Sequence, residues 1–164
     1  MSQNDSWTDF RIEIQKIIAE HQLNIVTLNI HDWKPIEHRI MEYFTGAKNS
    51  ELTWMWENNI LSKFKCYAKE VSDSKQLFNV LLDIVNHNEA VWLFLEDSLH
   101  WKTKFWGYSG NIEAIVTLLK ELPLRDFYII SKKLKWVIGQ NHHDFFWIRR
   151  NCSEFRIKYS RIPY

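Results

Sequence analysis

Residues 126–150, with the sequence DFYIISKKLKWVIGQNHHDFFWIRR, decide how this chain folds. Short runs of β-branched and aromatic residues alternate there with polar, turn-forming residues, a pattern typical of consecutive β-strands. The pattern predicts three short strands joined by two tight connections. Strands that follow one another through such short links form antiparallel pairs, so this segment predicts one side of an antiparallel sheet.

Further strands are predicted along the rest of the chain, at residues 24–30, 51–57, 62–70, 90–96, 102–108 and 154–159. The run AVWLFLE at 90–96 is apolar throughout except for its last residue, so we expect a central strand buried on both faces. The runs at 51–57 and 62–70 alternate apolar and polar residues around the turn signal Asn58-Asn59, which predicts a hairpin with one face in solvent.

Apolar residues at helical spacing predict helices over about residues 7–20, between Asp32 and Gly46, over about 74–86 and over about 112–121. Pro35 suits the first turn of the second helix, and Gly46 is placed to end it. Asn111 is placed to cap the last helix.

Helices that come singly between groups of strands, without strict β-α-β alternation, indicate an α+β fold. We expect a mostly antiparallel sheet with about four helices packed mainly on one face. A single hydrophobic core serves chains of this length, so residues 1–164 are predicted to form one domain. A doubly wound parallel sheet is the weaker alternative.

The composition argues against several classes of protein. No apolar run approaches the roughly 20 residues needed to span a bilayer, and residues 1–5, MSQND, are polar. Cys66 and Cys152 lie far apart, and two cysteines do not resemble a disulfide scaffold. We therefore expect a soluble, cytoplasmic protein with reduced cysteines and no membrane partner.

The second connection of the opening segment carries a concentrated group of polar residues, Asn141-His142-His143-Asp144. A metal-dependent hydrolase using His142, His143 and Asp144 is one alternative, although adjacent residues point in diverging directions and zinc ligands are usually not all neighbours. A structural turn, in which Asn and Asp bond to backbone groups, is the simpler interpretation. HExxH, GxSxG and a glycine-rich phosphate loop are all absent from the sequence, so we predict no catalytic residues and no cofactor.

Charge and tryptophan are both distributed in a way that favours binding. Residues 125–164 hold nine basic and three acidic residues, although the whole chain has a net charge of only +1. Trp136, Phe146 and Trp147 lie among these basic residues, where they would stack nucleic-acid bases, so a nucleic-acid-binding module is a second alternative. The nine tryptophans of the chain, some of them near arginine, are also typical of protein interfaces. An acidic protein surface would fit the same basic segment.

Residues 127–144, FYIISKKLKWVIGQNHHD, resemble a pattern in a family of small bacterial α+β proteins. In that pattern a Y-[IV]-[IV]-S-K-K strand pair leads through a tryptophan into N-H-H-D. Residues 105–119 fit it as well, so the resemblance covers roughly a quarter of the chain. Such proteins are similar in size and layout to immunity proteins of bacterial toxin systems. The resemblance implies neutralisation of a cognate toxin by protein–protein contact, without a cofactor, and it carries over no catalytic residues.

We therefore predict an immunity protein that binds and sequesters a toxin through its C-terminal sheet. The predicted partner-binding residues are the members of that sheet expected to be exposed: Lys133, Lys135, Trp136, His142, His143, Asp144, Trp147 and Arg149. Nucleic acid is the less favoured partner, and a homodimer is left open.

Overall fold

A computed structural model describes residues 9–46, 78–79, 81–83, 85–97, 104–123, 125–140 and 146–150. In this part of the chain three helices have defined bounds: α1 (Asp9–Glu20), α2 (Ile30–Thr45) and α3 (Ile112–Glu121). Residues 78–79 and 81–83 are also helical. The strands are β1 (Ile25–Thr27), β2 (Ala90–Asp97), β3 (Lys104–Asn111), β4 (Phe127–Ser131), β5 (Trp136–Gln140) and β6 (Phe146–Arg150).

The six strands form one sheet in the order β1-β3-β2-β4-β5-β6, and every neighbouring pair is antiparallel. β2 pairs with β3 along its whole length and with β4 over residues 91–95. The last three strands follow one another as the opening segment predicted. An α+β fold with an antiparallel sheet is therefore confirmed.

β2 is buried on both faces, as its apolar sequence predicted. Val91, Leu93, Phe94 and Leu95 are at most 1% exposed, and Trp92 is also buried. Successive side chains of a strand point to opposite faces of the sheet, so both faces must be covered around β2. Burying a large apolar side chain contributes roughly 1.5–3 kcal/mol, which makes this strand the centre of the core.

Most of the helical structure packs on the face of the sheet that carries Leu95, which we call the helix face. Arg11 of α1 stacks on the ring of Trp106, and the ring of Phe78 stacks on that of Phe127. Both Trp106 and Phe127 lie opposite Leu95 in the strand register. α3 packs beside α1. Among the described helical segments, the prediction of packing mainly on one face is confirmed.

α2 begins earlier than the sequence predicted. The side chain of Asn29 accepts hydrogen bonds of 3.0 Å from the backbone N–H groups of His31 and Asp32, and the helix starts at Ile30. An asparagine in extended conformation is among the best helix caps, and it starts the helix ahead of Asp32, where the sequence predicted its beginning. The predicted strand at 24–30 is therefore shortened to β1, and Pro35 lies inside the helix rather than in its first turn.

Two of the predicted helix ends, Gly46 and Asn111, agree with the structure, whereas the predicted end of β3 does not. Gly46 ends α2 with a φ of 71°, a conformation that glycine adopts at little cost. β3 continues to Asn111 instead of ending near residue 108, and the side chain of Asn111 caps α3 by accepting from the N–H of Ala114 at 2.8 Å. The predicted strands at 51–57, 62–70 and 154–159 lie outside the described residues, as do both cysteines. None of the described helices combines the length and hydropathy needed to cross a membrane.

The close approach of α2 to β3 makes Gly107 sensitive to substitution. A Cβ atom there would lie 3.1 Å from Leu28 Cδ1 and 3.3 Å from both Phe94 Cε1 and Trp33 Cβ. We expect Gly107→Ala to lower the free energy of unfolding by about 1–3 kcal/mol, because the packed neighbours must shift. Urea denaturation measures the change. Val26→Ala, which truncates a side chain that is 60% exposed, is the control and should stay within about 0.5 kcal/mol of the wild type. Equal stability of Gly107→Ala and the wild type would contradict this packing.

Candidate functional site

The predicted partner-binding residues belong to the β4–β5 turn, to β5 and β6, and to the segment between these two strands. β4 and β5 are joined by residues 132–135, KKLK, which we call the lysine turn and which contains Lys133 and Lys135. The segment that contains residues 142–144 follows Gln140, at the other end of β5, and itself lies outside the described residues. Lys133 and Lys135 therefore come directly before β5 in the chain, and residues 142–144 come after it.

Trp136 is not an exposed residue. It is 4% exposed, and its indole Nε1–H donates to Oε1 of Glu89 at 3.1 Å. The prediction that Trp136 is an exposed member of the sheet is therefore wrong, because a partner in the chain satisfies its polar group and the ring packs into the core. The other tryptophans whose side chains the structure describes are buried too: Trp33, Trp92 and Trp106. These four belong to the core, so they do not support the interpretation of the tryptophans as interface residues.

Trp147 and Arg149 lie in β6, which is the edge strand of the sheet within the described residues. In the register Trp147 is opposite Gly139 and Arg149 is opposite Val137. The structure describes the backbone of β6 and leaves its side chains outside the described part. The register places the end of β6 beside the start of β5, next to the lysine turn.

The lysine turn presents its three cations differently. Lys133 is exposed, whereas Lys132 and Lys135 are half-buried. The Lys132 ammonium donates to Ser109 Oγ at 2.6 Å and lies 6.0 Å from the centre of the Trp92 ring. Lys133 is therefore the cation of this turn that is most accessible to a partner.

A hydrogen-bond network centred on Glu89 holds the lysine turn. Glu89 Oε1 accepts from Ser131 Oγ at 2.7 Å and from the Trp136 indole at 3.1 Å, so one carboxylate oxygen bonds both ends of the turn. Within the turn the Leu134 N–H donates to the Ser131 carbonyl at 2.8 Å, and the Lys133 N–H donates to Ser131 Oγ at 3.2 Å. The turn is thus fixed by side-chain as well as backbone bonds.

Leu134 shows how firmly the surrounding structure determines this turn. Its φ is 56°, in the left-handed region, which costs a non-glycine residue about 1–2 kcal/mol. The side chain is buried at 5% exposure, and burial of a leucine offsets a cost of this size. The lysine turn therefore has one strained residue that is anchored in the core.

A second polar group, which the sequence analysis did not identify, lies at the other end of β2. The Arg11 guanidinium lies 3.7 Å from the centre of the Trp106 ring, and the Trp106 indole N–H donates to Asp97 Oδ2 at 2.9 Å. Trp33 packs edge-on against Trp106 with ring centres 5.1 Å apart. Tyr108 lies two residues further along β3. All five side chains are buried, and we call them the Arg11 cluster.

The Arg11 cluster ties α1 to β2 and β3. Burial raises the pKa of Tyr108 to about 12, although the nearby Arg11 guanidinium opposes this shift. A signal for the cluster existed in the sequence, since Arg11 shares the apolar face of α1 with Ile14. A charged residue on such a face needs a buried partner, and the fold supplies the ring of Trp106.

No three His, Cys, Asp or Glu residues within the described ranges lie together in an arrangement that would hold a metal ion. His142, His143 and Asp144 lie outside those ranges, so the alternative of a metal site there stays a prediction.

The comparisons with known proteins identify a family. Residues 6–159 match the model of a family described as Family of unknown function (DUF6756). The chain belongs to the DUF6756 family. The match includes both the lysine turn and the Arg11 cluster, so both are parts of the DUF6756 domain. The search of curated proteins and the search of solved structures gave no match.

Tyr108 gives this DUF6756 protein a pH dependence of stability in the alkaline range. Its pKa is raised from 10.0 to about 12, so the unfolded chain releases this proton at a lower pH than the folded protein. The full stability is present below pH 10. We expect a loss on the order of 2 kcal/mol by pH 12, because each pKa unit corresponds to about 1.36 kcal/mol.

Urea denaturation of the wild type and Tyr108→Phe at pH 9 and pH 11 measures this contribution. Tyr108→Phe should lose less stability between the two pH values than the wild type does. Tyr43→Phe changes a tyrosine that is 45% exposed and should behave like the wild type. Identical pH dependence of the wild type and Tyr108→Phe would contradict the assignment.

Proposed function

We propose that this protein acts by binding another protein and that the partner docks on the lysine turn. The observation that carries the proposal is the exposed Lys133 on a turn held by Glu89, Ser131 and the buried Leu134. A loop that is already ordered loses little conformational entropy when it binds, so more of the contact energy appears as affinity. A fixed turn with an accessible cation has the properties of a recognition element.

The proposed partner surface is acidic. Residues 125–164 hold nine basic and three acidic residues, and the register places Arg150 opposite Trp136, next to the lysine turn. Complementary charge accelerates association and suppresses binding of the wrong partners. An acidic patch on the partner would meet Lys133 and the end of β6 together.

A protein partner fits this turn better than a nucleic acid does. Proteins that bind single-stranded nucleic acid without sequence preference stack bases on exposed aromatic rings beside basic residues. Trp136 is the aromatic residue next to the lysine turn, and it is buried and bonded to Glu89. Without that ring, the turn offers charge alone, which suits an acidic protein surface.

The partner class that we propose is a bacterial toxin, which makes this chain an immunity protein. The lysine turn lies inside residues 127–144, the stretch that resembles small bacterial proteins similar to immunity proteins. A protein of this kind neutralises a toxin by covering its active site or a neighbouring surface, and it needs no cofactor for that. Co-expression with the product of the adjacent upstream gene tests the proposal. We expect the two proteins to co-purify and growth to be restored, and failure of both would contradict it.

Reversing the charge of Lys133 should weaken this complex. We expect Lys133→Glu to raise the Kd for the upstream gene product at least tenfold, mainly by slowing association, because it places a negative charge against an acidic surface. The control is Lys16→Glu, which makes the same change of net charge at an exposed position of α1. Binding kinetics at low and high salt measure both variants, and the difference should shrink at high salt.

Equal effects of Lys133→Glu and Lys16→Glu would contradict docking at the lysine turn. A wild-type protein that instead binds nucleic acid with an affinity falling steeply as salt rises would favour the nucleic-acid alternative.

A further inference from the structure

We infer that Glu89 is a positioning residue for partner binding: its carboxylate fixes the lysine turn in the conformation that the partner recognises. This inference rests on the proposed function and adds a residue that itself lies outside the docking surface. Glu89 is half-buried and immediately precedes β2, the central strand. It is 42 residues from Ser131 and 47 from Trp136 in the chain, so the contact joins two distant segments.

A relay of two hydrogen bonds connects Glu89 to Lys133. The Ser131 hydroxyl donates to Glu89 Oε1 at 2.7 Å and accepts from the backbone N–H of Lys133 at 3.2 Å. A hydroxyl that donates and accepts at once is polarised by both bonds, which strengthens the pair. The backbone position of Lys133 is therefore coupled to the Glu89 carboxylate.

Both donors to Glu89 are shielded from water, which explains why the carboxylate controls the turn. Ser131 is 0% exposed and Trp136 is 4% exposed. Truncating Glu89 would leave the Ser131 hydroxyl and the Trp136 indole without this acceptor, and an unsatisfied buried donor costs about 1–3 kcal/mol. The least costly response is for the turn to open and hydrate these groups, because Lys133 is already at the surface. Loss of Glu89 thus changes the presentation of Lys133.

Lys132 does not replace Glu89 in holding the backbone of Lys133. Its backbone N–H donates to the Ala90 carbonyl at 3.1 Å and its ammonium bonds Ser109, so it fixes the side of the turn that continues β4. Lys133 follows it, and the bond to Ser131 Oγ is the side-chain contact that holds its backbone. The Glu89–Ser131 relay therefore acts on the residue that the partner is proposed to meet.

Three variants separate positioning from general stability. Glu89→Ala removes the acceptor, and Ser131→Ala removes the relay while leaving the bond from Glu89 to Trp136. Glu89→Gln keeps an acceptor oxygen and should preserve the turn. Asn29→Ala is the control, because it removes the helix cap of α2 and lowers stability by about 1 kcal/mol at a side chain that bonds His31 and Asp32 rather than Glu89 or the turn.

The first measurement is amide hydrogen exchange in the free protein. We expect Glu89→Ala and Ser131→Ala to speed exchange at Lys133 and Leu134 at least tenfold relative to the wild type. Glu89→Gln and Asn29→Ala should leave these two amides close to the wild-type rates. Unchanged exchange at both amides in Glu89→Ala and Ser131→Ala would overturn the inference.

The second measurement is affinity for the upstream gene product. We expect Glu89→Ala and Ser131→Ala to bind it at least tenfold more weakly, and Glu89→Gln and Asn29→Ala to bind within about twofold of the wild type. A wild-type protein that does not bind the product at all would sink the proposed function. Tight wild-type binding with no loss in Glu89→Ala and Ser131→Ala would overturn the positioning role alone. If Glu89→Ala fails to fold, Ser131→Ala still decides between these outcomes.

Discussion

The structure depends on the burial of β2 between β3 and β4. Its backbone is paired on both sides, and the side chains of Leu93, Phe94 and Leu95 are enclosed on both faces of the sheet. A strand in this position cannot move without disrupting the core, so groups attached to its ends are held with little freedom. Glu89 stands immediately before β2, and Asp97 is its last residue. The same strand thus positions a carboxylate at each end of the sheet.

The two carboxylates serve different parts of the molecule. Asp97 accepts from the Trp106 indole, on which Arg11 stacks, and this fastens α1 to the helix face. Glu89 accepts from Ser131 and Trp136, and this fastens the lysine turn. Asp97 belongs to the Arg11 cluster, which is buried in the core and has a structural role. Glu89 holds the lysine turn, which lies at the surface, so we assign the proposed function to the end of the sheet that carries this turn.

The sequence predicted what local patterns determine. The apolar run at 90–96 identified the central strand, and Asn111 and Gly46 marked helix ends, because caps and periodicity depend on neighbouring residues. The candidate site was predicted less well. The sequence predicts an exposed Trp136, whereas the structure buries it. Its hydrogen bond to Glu89 joins residues 47 apart in sequence, and no local pattern reveals such a contact.

The proposed function requires that an acidic protein partner docks on the lysine turn. A hydrogen-exchange footprint of the complex with the upstream gene product tests it most directly, because exchange locates the contact without any substitution. We expect binding to slow exchange in peptides covering the lysine turn and the end of β6, where Arg150 lies opposite Trp136. Slowed exchange confined to α1 or α2, with the amides of the lysine turn unchanged, would contradict it.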